Sequence, residues 1–301
     1  MFWGKKSKRK NKPTPKATIK PTEQSKEIPD CIKKNIELGE AFAESFEPGL
    51  NDGIQSQKNP AKENSKKVLN SQKEFLNTFK EFSGRYRSWD IWKDFITMFA
   101  CSISNPLDKE HFDEREKLYL RTIKKYNKKE QELFPQLAAH TVMALEENPE
   151  QDFLGSIFMS LNLGNEHNGQ FFTPYHVCEL MAEVTMDDVV QKVKKDGYIS
   201  IHDPCCGAGA TLIAGIHAAR KRLEKEKLNY QNYILVAAQD IDMIVALMCY
   251  IQISLLGVAG YVKIGNSLTE PITNMDSREN CWFTPMYFSS IWTMRRLFGR
   301  C

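Results

Sequence analysis

The run Ile199-Ser200-Ile201-His202-Asp203-Pro204-Cys205-Cys206-Gly207-Ala208-Gly209 holds the residues best suited to chemistry. Strand formers lead into an acid, then a turn of small residues, then a helix beginning near Ala210. Gly207 and Gly209 can take positive φ and let the backbone approach a ligand closely. A ligand held there would lie at the carboxyl edge of a sheet, facing a helix amino terminus, as nucleotide-type ligands do. Asp203, at the strand end, can pair with a cation or a hydroxyl. The alternative is a tight strand-to-helix turn without a ligand. About thirty residues on, a second strand ends in Gln239-Asp240-Ile241-Asp242. An acid at that tip, Asp240, is placed to hold the two hydroxyls of a ribose or to cap the next helix, with Asp242 expected in that helix's first turn. A third strand ends in Ile264-Gly265-Asn266-Ser267-Leu268, where Asn266 could hydrogen-bond an adenine edge or simply make a turn.

The elements that would position these residues are visible in the pattern. Strand-length apolar runs at Tyr198–His202, Tyr233–Ala238 and Tyr261–Ile264 alternate with helical stretches at Ala210–Lys225 and Ile241–Leu256. Strand, helix, strand, helix, strand predicts a parallel sheet with right-handed crossovers. The nearly apolar run Ile244–Val262 is long enough to suggest a membrane span. Gly257 and Gly260 break it, so it reads as a buried helix, a turn and a strand. Upstream, Phe75, Phe79 and Phe82, then Ile91, Trp92, Phe95, Ile96 and Phe99, recur at helical spacing, and Asn105-Pro106 stops the run. The row Trp89, Trp92, Phe95 and Phe99 reads as helix core. Asp113–Glu147 reads as one or two more helices, interrupted near Pro135.

The 301 residues are 42% hydrophobic and 26% charged, an ordinary globular composition that excludes collagen-like and wholly disordered chains. The overall charge is +3, but residues 1–20 hold eight lysines and arginines and no acid, which leaves −5 on the remainder. Such a run is expected to be disordered and either to contact a polyanion or to act as a solubilising tail. The eight cysteines form no Cys-x-x-Cys pair, which points to a reducing cytosol. Cys205 and Cys206 read as small turn-filling residues rather than nucleophiles. His140, His167, His176 and His217 show no metal-ligand spacing, so no metal is expected. Glu166-His167 could form a catalytic pair or loop contacts, and Arg85, Arg87 and Lys93 could touch phosphate or form a solvated face.

Taken together, Gly169-Gln170-Phe171-Phe172-Thr173-Pro174, Asp203 to Gly209, Gln239-Asp240 and Gly265-Asn266-Ser267-Leu268 resemble the S-adenosylmethionine-dependent adenine-N6 DNA methyltransferases, closest to the modification subunits of type I restriction systems. Asp152-Phe153-Leu154-Gly155 is similar to the segment that precedes the Phe-Thr-Pro motif in that family. The resemblance spans residues 150–270. It implies S-adenosylmethionine as cofactor and adenine-N6 DNA methylation as the activity. By this resemblance Phe172, Thr173 and Pro174 pack over the cofactor's methionine part. Asp203, Pro204, Cys205, Gly207 and Gly209 form the methionine-side loop, with Asp203 near the amino group. Asp240 binds the ribose hydroxyls, and Asn266 stands near the adenine.

The family's next motif, Asn/Asp-Pro-Pro-Tyr/Phe, orients the target amine and stacks on the flipped base. No such tetrapeptide occurs in this sequence. The nearest candidate is Thr284-Pro285-Met286-Tyr287, in which Thr284, Pro285 and Tyr287 would carry the catalytic roles. The expected fold is therefore α/β: a Rossmann-like class I methyltransferase sheet, incomplete at three or four parallel strands. Residues 1–70 are expected to be a basic, largely disordered tail and 71–165 a helical region. Residues 166–270 would bind the cofactor, and 271–301 would be a C-terminal segment packing on the core or a partner. An incomplete sheet leaves an open edge. The basic tail, residues 281–301, a specificity subunit or a second methyltransferase subunit would cover it, or the gene is truncated or split. DNA is the expected partner, no membrane is expected, and the expected location is the cytoplasm. The alternative function is a non-catalytic accessory or scaffold protein that keeps the fold.

Overall fold

The computed structural model describes residues 71–82, 84–164, 172–272 and 278–298. The basic run 1–20, the rest of residues 1–70, Glu166-His167 and Gly169-Gln170-Phe171 lie outside the described residues.

Residues 71–80 are helical, followed by α1 (Ser88–Ser104), α2 (Phe112–Ile123), α3 (Lys128–Glu147) and α4 (Phe153–Ser160). The aromatic spacing read from the sequence resolves into one packed cluster. Phe75 lies edge-to-face with Trp92 at 6.2 Å, Phe95 at 5.6 Å and Phe153 at 5.8 Å, a geometry that adds to simple area burial. Trp92 and Phe95 are fully buried, whereas Trp89 and Phe99 are only partly so.

The expected interruption at Pro135 is corrected. Helix α3 runs through Pro135, and the break falls at residues 124–127 instead. Asn127 and Glu130 form a reciprocal capping box there: the Glu130 amide donates to Asn127 Oδ1 at 3.1 Å and the Asn127 amide to Glu130 Oε2 at 2.9 Å. Capping satisfies the orphan donors of a new helix start. The proline forfeits only one ladder bond, and buried Phe134 and Leu137 hold α3 against the core on either side of it.

The sheet follows, with α5 (Tyr175–Thr185) and α6 (Val189–Asp196) leading into it. Its elements are β1 (Ile199–Asp203), α7 (Ala210–Lys225), β2 (Ile234–Asp240), α8 (Met243–Leu255), β3 (Ala259–Ile264), β4 (Cys281–Phe283) and α9 (Ser290–Leu297). The strand order is β1-β2-β3-β4. β1, β2 and β3 are parallel, with Ile201 opposite Val236 and Val236 opposite Gly260. β4 is antiparallel, with Tyr261 opposite Phe283, so of the expected three or four parallel strands the sheet has three. A parallel neighbour requires a crossover back to the starting edge. Here the chain turns at the end of β3 and returns alongside it.

Residues Ile244–Val262 divide as anticipated into α8, a turn with Gly257 at φ +67°, and β3. Helix α8 is buried on all sides from Ile244 to Ser254, packed between the sheet and α1, as expected of a helix apolar all round. Among the described residues no helix is long and apolar enough to cross a membrane. One core cluster extends from Phe75 through α8 to Trp282. Arg115 joins the helices to the last strand. Its buried guanidinium donates to Asp108 Oδ2 at 2.7 Å and to the Cys281 carbonyl at 2.7 Å, and lies 3.9 Å over the Trp282 ring.

The two rims of the sheet are built differently. At the amino rim α9 grips the chain. Trp292 Nε1 donates to the Gln231 carbonyl at 2.8 Å, and Arg295 donates to the carbonyls of Asn232 and Gly197. The 281–298 segment therefore covers the β3 side. Among the described residues β1 pairs with β2 alone, and its Ser200 and His202 are exposed.

Candidate functional site

The carboxyl rim gathers the acid of β1, the glycine turn after it, the acid of β2 and the loop after β3. Three of these are tied together by backbone hydrogen bonds. Asp203 Oδ1 accepts from the Cys205 amide at 3.0 Å, and Oδ2 accepts from Thr211 Oγ1 at 2.5 Å. The acid thus folds the turn onto itself and onto the first turn of α7. The Cys206 amide donates to the Gln239 carbonyl at 2.9 Å, lashing the turn to β2. Gly207 and Gly209 have φ +57° and +100°, the left-handed region that only glycine enters freely. A Cβ at Gly209 would also stand 3.0 Å from Cys249 Sγ on α8, so both conformation and space require glycine there.

Asp240 lies across from the turn. Its Oδ2 accepts from the Gly207 amide at 2.9 Å, and its Oδ1 accepts from the Asp242 amide at 3.0 Å. The two alternatives for these acids now separate. Asp242 caps α8, accepting from the Ile244 amide at 2.8 Å and the Val245 amide at 3.3 Å, so its expected place inside the first turn is corrected. Asp240 stands clear of the cap and half-buried at the rim. A carboxylate oxygen carries two lone pairs, so each keeps one acceptor site for a hydroxyl.

Phe172, Thr173 and Pro174 approach the same turn. A Cβ at Gly207 would lie 3.5 Å from the Phe172 ring, which itself packs 5.1 Å from the ring of Phe158. Thr173 is exposed, and Pro174 starts α5, its carbonyl accepting from the Val177 amide at 2.9 Å. Pro204 and Cys205 are exposed, and Cys205 Sγ lies 3.8 Å from Ser267 Oγ in the loop after β3. Cys206 points inward. A hydrogen bond with Cys249, together with burial, raises its thiol well above the ordinary range and keeps it protonated. Asn266 closes an Asx turn through Oδ1, which accepts from the Leu268 amide at 2.9 Å, while its side-chain amide stays at the rim.

Thr284, Pro285 and Tyr287 are not brought to this site. Thr284 is fully buried beside the start of β3. Its Oγ1 accepts from the Gly260 amide at 2.9 Å and donates to the Val258 carbonyl at 2.7 Å. Gly260 to Ile264 spans four strand residues, about 13 Å at the usual rise, so the segment sits at the amino rim. Pro285 opens a 3₁₀ turn, and Tyr287 packs its ring 4.7 Å from Phe283. The antiparallel direction of β4 carries the segment away from the carboxyl rim.

Several residues at the site escaped the sequence reading. Thr211 follows from the α7 start, and a hydroxyl at the second helical position was the available signal. Ile241 and Leu268 are large apolar residues 68% and 91% exposed, following Asp240 and Asn266 in the sequence. Exposed side chains of this kind suit a flat ring. Their position one and two residues after Asp240 and Asn266 was the signal. Among the described residues no group of three His, Cys, Asp or Glu could hold a metal ion.

The arrangement defines a class: an α/β domain with a glycine turn, two strand-end acids and an apolar pair at the carboxyl rim of a parallel sheet, the edge at which such sheets bind ligands. Residues 152–298 match the N-6 DNA methylase family. The match begins at Asp152 and takes in the whole sheet, and it supports an adenine-N6 DNA methyltransferase family. No curated protein matches the chain.

Proposed function

We propose that the carboxyl rim binds S-adenosylmethionine and that the chain is a cofactor-binding, DNA-directed protein of the adenine-N6 type, nearest in pattern to type I modification subunits. The observation that carries this reading is Asp240. Its carboxylate is fixed by two backbone amides at the tip of β2, facing the glycine turn and flanked by exposed Ile241. The residues present fit the cofactor. Asp240 would hold the ribose hydroxyls, the Asp203–Gly209 turn the methionine end under Phe172, and Ile241 and Leu268 the faces of the adenine. When bound, the sulfonium supplies a transferable methyl group.

The described residues at this rim bind and orient, and among them none takes the place of the family's acceptor for a target amine. The tetrapeptide for that task is absent from the sequence, and Thr284 is engaged at the other rim. The placement of Thr284 also favours a second reading, a scaffold that keeps the fold without transfer. DNA as partner is supported by the family match and by the eight positive charges of residues 1–20.

Isothermal titration of S-adenosylmethionine into the chain, with Asp240→Ala alongside, tests the cofactor reading. Binding that the variant loses while keeping a native circular dichroism spectrum is the expected result. Absence of binding by the folded wild-type chain overturns it and leaves the scaffold.

A further inference from the structure

Helix α8 is apolar along its length except for Gln252 and Ser254 within its buried stretch. A fully buried glutamine in such a helix is costly unless its amide is satisfied. Gln252 is satisfied three times, by two distant segments: the start of α4 and the glycine turn. Its Oε1 accepts from the Leu154 amide at 3.1 Å, and its Nε2 donates to Asp152 Oδ1 at 2.8 Å and to the Ala208 carbonyl at 2.9 Å. Asp152 is the cap of α4, and the same Oδ1 accepts from the Gly155 amide at 2.9 Å. Burial raises its carboxyl above the usual range.

Ala208 is the one residue between the two left-handed glycines of the turn. Flanking glycines give a backbone many conformations to lose on ordering. Besides the Cys206 amide on Gln239 and the Gly209 amide on the Cys206 carbonyl, two side chains limit that freedom: Asp240 holds the Gly207 amide from the rim, and Gln252 holds the Ala208 carbonyl from beneath.

We propose that Gln252 and Asp152 are positioning residues that hold the glycine turn in its ligand-ready shape, and that they link that shape to the start of α4. The role assigned to the turn rests on the S-adenosylmethionine reading; the mechanical link does not. Gln252→Met keeps the length of the side chain and removes all three bonds. Asp152→Ser keeps a capping hydroxyl for α4 but is too short to reach Gln252. Thr284→Val removes two buried hydrogen bonds at the opposite rim and serves as a control for lost stability without lost positioning.

Hydrogen exchange of the peptide covering residues 204–210 in the ligand-free proteins, followed by titration of S-adenosylmethionine, is the test. Gln252→Met is expected to raise exchange of this peptide, and to weaken binding, by about 10-fold, and Asp152→Ser by about 3-fold, with Thr284→Val at the wild-type values. Equal exchange in all four proteins overturns the proposal, as does faster exchange in the control equal to that in the variants. If Gln252→Met does not fold, Asp152→Ser decides alone. If the wild type binds no cofactor, the functional reading fails while the exchange arm still decides the mechanical link.

Discussion

Gly155→Ala sets two physical effects of opposite sign against each other. Gly155 lies in the first turn of α4, where alanine is the better helix former by about 1 kcal/mol. On propensity alone the substitution stabilises. The structure reverses the sign. A Cβ at Gly155 would stand 2.0 Å from Asp152 Oδ2 and 2.5 Å from its Cγ, so the carboxylate must leave. Leaving breaks the cap to the Gly155 amide, about 1 kcal/mol. It also strands one donor of buried Gln252, a further ~1–3 kcal/mol. The net expectation is a loss of about 2 kcal/mol, or a fall in Tm of ~4–8 °C for a domain of this size. Thermal unfolding by circular dichroism measures it, and repeating the substitution in an Asp152→Ala background isolates the cause. With the carboxylate gone the methyl has room, and Gly155→Ala becomes neutral or stabilising there. The reasoning is refuted if the wild-type background gains stability, or if both backgrounds lose the same amount.

Three further predictions concern other parts of the molecule. Thr284→Val costs about 1–3 kcal/mol in urea unfolding, because the Gly260 amide and Val258 carbonyl lose their partner, yet it leaves the carboxyl rim untouched; a change in cofactor affinity would contradict the placement. His217 is buried and its Nε2 donates to the Pro149 carbonyl at 2.8 Å, and burial holds its pKa below the ordinary 6.5. The fold thus prefers the neutral ring: this contribution is complete above pH 6.5 and falls as pH drops from there toward the folded-state pKa, so between about pH 8 and pH 5 the wild type should lose more stability than His217→Gln. Cys205 is exposed while Cys101, Cys178, Cys206, Cys249 and Cys281 are buried. Maleimide labelling read by mass spectrometry should therefore modify Cys205 ahead of these five, and S-adenosylmethionine should slow it; unaltered labelling at saturating cofactor would place the ligand elsewhere.

The sequence made the local parts of this fold legible. Helix α7 occupies Ala210–Lys225 as its pattern indicated, and the three parallel strands fall within two residues of their apolar runs. Gly207, Gly209, Asp203 and Asp240 meet at one rim because a strand–turn–helix unit fixes which end of a strand its turn occupies. What failed was long-range. Either acid could cap by composition; Asp242 takes the Ile244 and Val245 amides, and the bond from Gly207, 33 residues away, holds Asp240 at the rim. Thr284-Pro285-Met286-Tyr287 resembles a motif in composition, but composition carries no strand direction, and antiparallel β4 sends it to the wrong rim. The role of Gln252 has no local signal, because its three partners lie 44 to 100 residues away. Pro135 signals a break but costs only one ladder bond, whereas the capping box at Asn127 sets the helix start.

The grip of α9 on the amino rim has a practical corollary. Met294 and Leu297 on that helix are exposed, and they lie at the end of the sheet opposite the candidate site. A cysteine or affinity handle introduced there would immobilise the protein with its carboxyl rim facing the bulk solution. Surface-based binding measurements with long DNA could then be made without the support shielding the site.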